Sequence, residues 1–429
     1  MQIIPSTNTR AVAALVDRRP GRDPVVARSV DQIVELIRTG GDAALLEFAR
    51  RFDGVDAPLE VTRDEMEAAA SCVAPAVKHA IRTAARHIRR VARKQLPRAW
   101  AVWPAPGVQI AQRVVPFDRV GCYVPGGRHP LPSSLLMTTI PARVAGVPEV
   151  IVACPRPDDA VMFAAIEAGV TRLFRVGGAH AIAALAYGTR SVPRVDKIVG
   201  PGNAWVSAAK ARVASDCPID FSAGPSEIAI VSTGGRPAWI AADLIAQAEH
   251  DPDARAIFIT PKKTLADAVT REVRRQMPVT GPARDALALN GGIVLTRTLD
   301  EAIALCQRMA PEHLVCDSNA TAARLTRAGT VFVGRYSAQA LGDYVTGSNH
   351  VLPTMGAAAG RGGLSAADFV RVTTVQRISS AGLRLIAPAG IALAEAEGLS
   401  AHAASMRIRL GTRAAAGTRA HVRNRSIAK

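Results

Sequence analysis

The stretch Val150-Ile151-Val152-Ala153-Cys154-Pro155 decides how the chain is read. A short β-branched run stopped by proline reads as a strand. Asp159–Ala168 then has helical spacing, Arg172–Val176 returns to a strand, and Ala179–Tyr187 is helical again. From Val120 onward this alternation persists. The further strand candidates are Gly121–Val124, Lys197–Val199, Glu227–Val231, Ala256–Thr260, Gly292–Thr296 and Thr330–Val333. Strands alternating with alanine-rich helices predict parallel sheets in α/β layers. The strands are too many for one small sheet, so two α/β domains are expected. Ile257-Phe258-Ile259-Thr260-Pro261 echoes Ile151-Val152-Ala153-Cys154-Pro155 and supports the pair.

Outward from this core the patterns change. Residues 1–22 read as a small helical arm, and Val25–Phe52 as a helix pair around Gly40-Gly41. Thr62-Arg63-Asp64-Glu65 is a capping box opening an amphipathic pattern that ends before Pro97. Val108–Val115 reads as a strand or strand pair. Met355-Gly356-Ala357-Ala358-Ala359-Gly360-Arg361-Gly362-Gly363 reads as a flexible linker, and Ser365 to about Leu410 as a helical segment. Residues 411–429 have no apolar period and are expected to lack fixed structure.

Composition bounds the function. At 429 residues the chain exceeds one ordinary core. No stretch of about eighteen apolar residues occurs, which argues against a membrane span. The N-terminus lacks the pattern of a signal peptide, so the cytoplasm is the expected location. Six cysteines without a C-x-x-C pair exclude a disulfide framework or a cysteine zinc site. The formal charge of +17 is concentrated in Arg82–Lys94 and in the tail beyond Ala403. Neither cluster is interleaved with aromatic residues. A solvated helix face and a basic tail are therefore favoured over a nucleic-acid surface.

Several constellations carry chemistry. A helix predicted from Pro237 ends in Ala246-Gln247-Ala248-Glu249-His250. Gln247 and His250, three apart, share a helix face and could supply half of a zinc site. Asp343 and His402 are further donors of the same kind, at large sequence separation. Glycine turns at Tyr123-Val124-Pro125-Gly126-Gly127, Val176-Gly177-Gly178-Ala179-His180 and Gly200-Pro201-Gly202-Asn203 follow predicted strands. Singly each is an ordinary strand-to-helix turn; three in one α/β domain point to a nucleotide. Ser226, before a strand, is placed to reach a ligand. In Ala310-Pro311-Glu312-His313-Leu314 a carboxylate adjoins an imidazole, a pair that can divide general-base work.

Together these strings resemble the histidinol dehydrogenase family from about residue 20 to Leu410. Added to those above, the carrying motifs are Val195-Asp196-Lys197-Ile198-Val199-Gly200-Pro201-Gly202-Asn203-Ala204, Ala223-Gly224-Pro225-Ser226-Glu227, Gly342-Asp343-Tyr344, Asn349-His350-Val351-Leu352-Pro353-Thr354 and Leu399-Ser400-Ala401-His402. The resemblance implies an α/β fold with two incomplete Rossmann-like parallel-sheet domains plus small helical N- and C-terminal segments. The expected divisions are an arm (1–22), a first α/β domain with the zinc and catalytic residues (23–120 with 226–364) and a second, NAD-binding domain (121–225). A C-terminal helical segment (365–410), exchanged in a homodimer, and a basic disordered tail (411–429) follow.

The same resemblance implies NAD-dependent, zinc-dependent oxidation of a small-molecule alcohol through an aldehyde, by two hydride transfers. Glu312 and His313 would be catalytic. Gln247, His250, Asp343 and the His402 of a second copy would bind zinc. Tyr123, His180 and Asn203 would contact NAD. Ser226, His350, Gln339 and Glu397 would lie at the substrate with the zinc ligands and His313. Two positions depart from the family's usual pattern: Gln339 stands where a glutamate is usual, and His180 where a glutamine is usual. Gln339 keeps an acceptor oxygen but lacks the charge. Two substrates are therefore weighed, histidinol and another small polar alcohol or diol such as a sulfopropanediol. A non-catalytic basic nucleic-acid scaffold is the reading from another class.

Overall fold

A computed structural model describes residues 1–17, 23–56, 58–126, 130–222 and 224–411. They form two compact units, Met1–Leu96 with Pro116–Val370 and Pro97–Val115 with Arg371–Lys429. The early strands are β1 (Gln2–Pro5), β2 (Glu60–Val61), β3 (Trp100–Ala105), β4 (Val108–Pro116) and β5 (Arg119–Tyr123). The next are β6 (Glu149–Ala153), β7 (Arg172–Phe174), β8 (Lys197–Val199), β9 (Glu227–Val231) and β10 (Arg255–Thr260). The last are β11 (Gly291–Leu295), β12 (His313–Cys316), β13 (Thr330–Val333) and β14 (Val370–Ile378).

In the larger unit one sheet runs β1-β11-β10-β9-β12-β13, entirely parallel. The other runs β2-β7-β6-β5-β8, with β2 antiparallel to β7 and the rest parallel. Without β1 and β13 in the first sheet and β2 in the second, each sheet has the same plan: third, second, first, fourth. β6 and β10 are thus counterparts, which gives the repeated strand-to-proline string a structural basis.

Helices cover both faces of each sheet, and this explains the near-continuous apolar runs. All of β9 and β10 is buried, as central parallel strands must be when helices cap them on both sides. Helices Pro237–Ala248 and Lys263–Gln276 cover one face of the first sheet. Thr9–Val16 and Leu299–Met309 cover the other. On the second sheet, Pro132–Ala145 and Asp159–Ala168 lie opposite Gly178–Tyr187 and Ala204–Val213.

Three sequence expectations need correction. The N-terminal arm is not purely helical: Gln2–Pro5 pairs in parallel with Gly292–Leu295 at the edge of the first sheet. The helices between residues 23 and 96 do not belong with the catalytic sheet. Val30, Ile37 and Leu45 pack with Ile151 and Phe174, and Ile81 and Ile88 with Val120 and Val152, all in the core of the second sheet. The stretch beyond Ser365 does not start as a helix. It opens with a 3₁₀ turn (Ala366–Phe369) and then β14, which joins β4 and β3 in a three-stranded sheet. Its helices, Ser380–Ala396 and Ser400–Gly411, follow. Residues 412–429 lie outside the described residues, and so does the expectation of a disordered tail.

Local signals held. The capping box forms: Glu65 N–H donates to Thr62 Oγ1 (3.2 Å) and Thr62 N–H to Glu65 Oε2 (2.7 Å). The amphipathic stretch is broken once, at Pro75, into Arg63–Cys72 and Pro75–Gln95. In the second of these Ile81, Ala84, Ala85, Ile88 and Ala92 are buried. Arg82 pairs with Glu167 (2.8 Å) and Arg89 donates to the Glu167 carbonyl. No helix among the described residues is long and apolar enough to cross a membrane.

Gly200 fixes the end of β8 against β5. Its φ is +118°, and a Cβ there would sit 2.2 Å from the Tyr123 carbonyl oxygen. Gly200→Ala is expected to lower the unfolding free energy by about 2–4 kcal/mol in urea denaturation.

Candidate active site

The site is built at the start of two neighbouring parallel strands. β12 lies beside β9, with His313 level with Ile228. Helix Leu299–Met309 stops at Ala310, whose φ of 46° is left-handed, and Pro311 follows. That turn directs Glu312 inward. Glu312 Oε2 accepts the Glu227 N–H (2.8 Å), and the Glu227 carbonyl faces His313 Nδ1 (3.3 Å). A carbonyl only accepts, so Nδ1 carries the hydrogen and Nε2 is the nitrogen turned to the reaction. His313 Nε2 lies 3.5 Å from Asp343 Oδ1, and its Nδ1 3.6 Å from Glu312 Oε2.

Asp343 sits on a short helix, Gln339–Tyr344. Gln339 Nε2 donates to Asp343 Oδ2 (2.6 Å), and His250 Nε2 lies 4.0 Å from the same oxygen. His350 Nδ1 donates to the Asp343 carbonyl (2.8 Å), leaving Nε2 to face Ser134 Oγ (3.1 Å). Glu227 is fully buried and bonded to Arg255 (2.9 Å), the residue level with it on β10.

Burial sets the titration of these groups. It pushes the Glu312 carboxyl up to about 7, against the pull of His313. For His313 burial acts downward, but Glu312 and Asp343 outweigh it and hold the imidazole above its ordinary value. Asp343 is held low because His313, His350 and His250 overcome its own burial. His350 is pushed down by burial, against the pull of Asp343. Burial also lifts Glu227, against Arg255 and the Met355 N–H.

The donor set suits a metal in one specific respect. Gln247 is fully buried, yet its amide oxygen and nitrogen have no hydrogen-bond partner, and Gln339 Oε1 is likewise without one. Among the described residues these are the only buried side-chain polar atoms in that condition. Each would be costly if nothing met it. Among the described residues no three His, Cys, Asp or Glu side chains form a metal-binding group. His250, just past the helix that ends at Ala248, is half exposed. His402 and Glu397 belong to the smaller unit, exposed on its helical segment. Ser226, half-buried, precedes β9, and its carbonyl accepts the Arg255 N–H (2.9 Å).

The glycine turns lie at the carboxyl ends of the second sheet. Between β5 and β8 the crossovers leave in opposite directions, the point where open α/β sheets bind ligands. Tyr123 ends β5 on one side of it, and the turn Gly200-Pro201-Gly202-Asn203 follows β8 on the other. Asn203 is exposed and caps helix Ala204–Val213 through Oδ1 (3.1 Å to the N–H groups of Trp205 and Val206). Tyr123 Oη accepts the Gly178 N–H (3.1 Å). His180 follows β7, farther from the crevice, and is 2% exposed. Its Nε2 bonds Asp53 (2.8 Å), which also takes the Gly177 N–H (2.9 Å), and its ring stacks near Phe48 and Phe52. Gly127 and Ala223, quoted in two of the motifs, lie outside the described residues.

Sequence reasoning missed Glu227, Arg255, Asp53 and Ser134 as supporting residues. One signal was available. Glu227 and Arg255 are opposite charges opening two strands that are otherwise almost wholly apolar.

Comparison with known proteins places the chain among relatives of one kind. The family model described as histidinol dehydrogenase matches residues 17–410. The histidinol dehydrogenase of Aromatoleum aromaticum is 43% identical over 416 residues, covering 93% of this chain and 95% of that one. That of Methanothermobacter thermautotrophicus is 45% identical over 416 residues, covering 94% and 97%. The crystal structure of histidinol dehydrogenase from Elizabethkingia anophelis superposes with a TM-score of 0.91 at 31% identity, covering 96% of this chain and 98% of that one.

Glu312 ties stability to pH. Its folded value of about 7 lies above the unfolded one, so the fold binds this proton more tightly than the open chain. The resulting stabilisation is complete below about pH 4.3 and is lost as pH rises through 7. Glu312→Gln removes the titration. Between pH 4.5 and 8 the metal-free parent is expected to lose about 1–3 kcal/mol more than this variant in urea melts. Parallel stability curves would refute the shift.

Proposed function

Because the chain belongs to the histidinol dehydrogenase family, and is an oxidoreductase of that kind, we propose that it oxidises L-histidinol to L-histidine through the aldehyde. The convergence of Glu312 and His313 on the backbone of Glu227 is the observation that carries this reading. Each oxidation releases one hydride and one proton from the carbon and oxygen that become the carbonyl. His313 Nε2 takes the alcohol proton in the first. The aldehyde then needs water, and Glu312 as the carboxylate takes a proton from the water that attacks the carbonyl carbon. His313 releases the first proton to solvent and then takes the proton of a hydrate hydroxyl as the second hydride leaves the same carbon. His350 and Ser226, with Glu397 of a second copy, would hold the substrate's polar groups.

NAD⁺, which Tyr123 and Asn203 would hold at the carboxyl edge of the second sheet, would accept one hydride per oxidation, so two molecules would be used in turn. His180 would act there through the turn it shares with Gly177 and Asp53. Zinc, held by Gln247, His250 and Asp343 with His402 from a second chain, supplies a fixed positive centre that orients the substrate. The orphaned Gln247 amide supports this assignment. A homodimer in which the C-terminal segment is exchanged would bring His402 of a second chain to this set, as the resemblance implies.

Gln339 favours a second reading on the same chemistry. It contributes an amide, not a carboxylate, beside Asp343, with its oxygen unmatched. A substrate lacking the ammonium group of histidinol, such as a sulfonated propanediol, suits that neutral acceptor.

NADH formation should be seen with histidinol in the parent chain, climb with pH through an apparent value near 7, and vanish on strong chelation. Glu312→Gln and His313→Ala are each expected to reduce kcat by roughly 10²–10⁴-fold. A panel of small alcohols, run with the parent and Gln339→Glu, separates the two substrates. Turnover of histidinol that is robust and indifferent to Gln339→Glu supports histidine formation. A strong preference for another alcohol, with histidinol gained only in Gln339→Glu, supports the second reading.

A further inference from the structure

Resting on the dehydrogenase reading above, we propose that the buried Arg255–Glu227 ion pair is a positioning device for the catalytic pair. Its task is to hold the main chain of residue 227, which in turn holds Glu312 and His313. Glu227 meets the Glu312 and His313 side chains through its backbone atoms, and its own carboxylate is bonded by the Glu312 backbone. Its N–H goes to Glu312 Oε2 (2.8 Å) and its carbonyl takes His313 Nδ1 (3.3 Å). Those two bonds select the Glu312 rotamer and the His313 tautomer. They are only as well aimed as the peptide planes on either side of residue 227.

The Glu227 side chain is anchored from opposite directions. Oε2 takes Arg255 Nη1 (2.9 Å) and Oε1 takes the Met355 N–H (2.8 Å). Arg255 also donates to the Leu15 carbonyl on helix Thr9–Val16. β9, β10, the N-terminal helix and the loop after Thr354 are thereby tied at one point. Residue 227 opens β9, where the ladder alone leaves the backbone least constrained.

Two further observations converge there. Ala310 and Met355 are the only non-glycine residues with positive φ among the described residues, at 46° and 57°. One sets the approach of Glu312, and the other presents its N–H to Glu227. Left-handed backbone at non-glycine residues persists where the surroundings over-determine it, and it clusters at functional sites. The pair is also hard to explain by stability. Buried ion pairs can often be replaced by neutral groups of similar volume with no loss of stability.

The test is the double variant Glu227→Gln/Arg255→Met in the full-length chain. Glutamine keeps the acceptor for the Met355 N–H, and no charge is left unpaired. The expected result is a cooperative fold with little change in Tm and unchanged KM for alcohol and NAD⁺. kcat should fall by about 10–100-fold, the size of effect that misplacing catalytic groups produces. Arg255→Lys, which keeps the charge but loses the guanidinium fork, should lie between parent and double variant. An unchanged kcat in the folded double variant overturns the proposal, and so does a rise in KM that accounts for the whole loss. If the double variant does not fold, Arg255→Lys decides: native Tm with reduced kcat at constant KM supports the proposal, and parental kcat refutes it. Absence of turnover in the parent with any alcohol would be a failure of the dehydrogenase reading. A parent that turns over, with a variant equally fast, is a failure of this inference alone.

Discussion

A carboxyl group taken out of water must find its partners in the protein, and Glu312 finds few. Its surroundings are apolar strand and helix, one peptide N–H, the neighbouring His313, and the carboxyls of Glu227 and Asp343, which raise it further. Desolvation is the strongest influence on it and poises its proton near neutrality. An ordinary surface glutamate would be ionised and well hydrated, and a poor base toward water. The rest of the site answers this burial. β9 supplies the single donor, Asp343 keeps His313 able to carry a proton, and the helices around the sheet keep solvent out.

The two sheets share a strand order but are used at opposite edges. In the second sheet the glycine turns and Asn203 cluster at the carboxyl ends of the strands, where crossovers leave an open crevice. In the first sheet the titratable residues sit at the amino ends of β9, β10 and β12. Acids and bases buried there need short-range partners. Glu227, Arg255 and Asp343 provide these, and each is itself held by hydrogen bonds to other segments.

What the sequence revealed follows the range of the physics involved. β6, β9 and β10 were legible because burial on both faces leaves an apolar run that needs no partner to be recognised. The Thr62 capping box was legible because all its atoms lie within four residues. β1 was not, since four residues closed by proline are a strand only when β11 is beside them. β14 was not, because it is mostly exposed and its threonine, glutamine and arginine side chains show no buried face. The helices of residues 24–95 were visible as helices, but which sheet they cover is a long-range choice that periodicity does not encode. At the site, Glu312, His313 and Asp343 stood out through the strings they sit in. Glu227 and Asp53 work largely through bonds to distant segments, and the residue letter alone does not disclose that.

The pairing of β1 with β11 carries a consequence for synthesis. One core of the second sheet draws only on residues 30–217 and is complete once that much chain has emerged. Gln2–Pro5 pairs with Gly292–Leu295, so β1 waits for almost three hundred residues before its partner exists. At about 5–20 residues per second this is a delay of some tens of seconds, with a short apolar edge left unpaired. The nascent chain is therefore ordered in time: one face of the sheet with the glycine turns can close first, the first sheet can take in β1 once β11 exists, and the other face of the second sheet waits for Phe369.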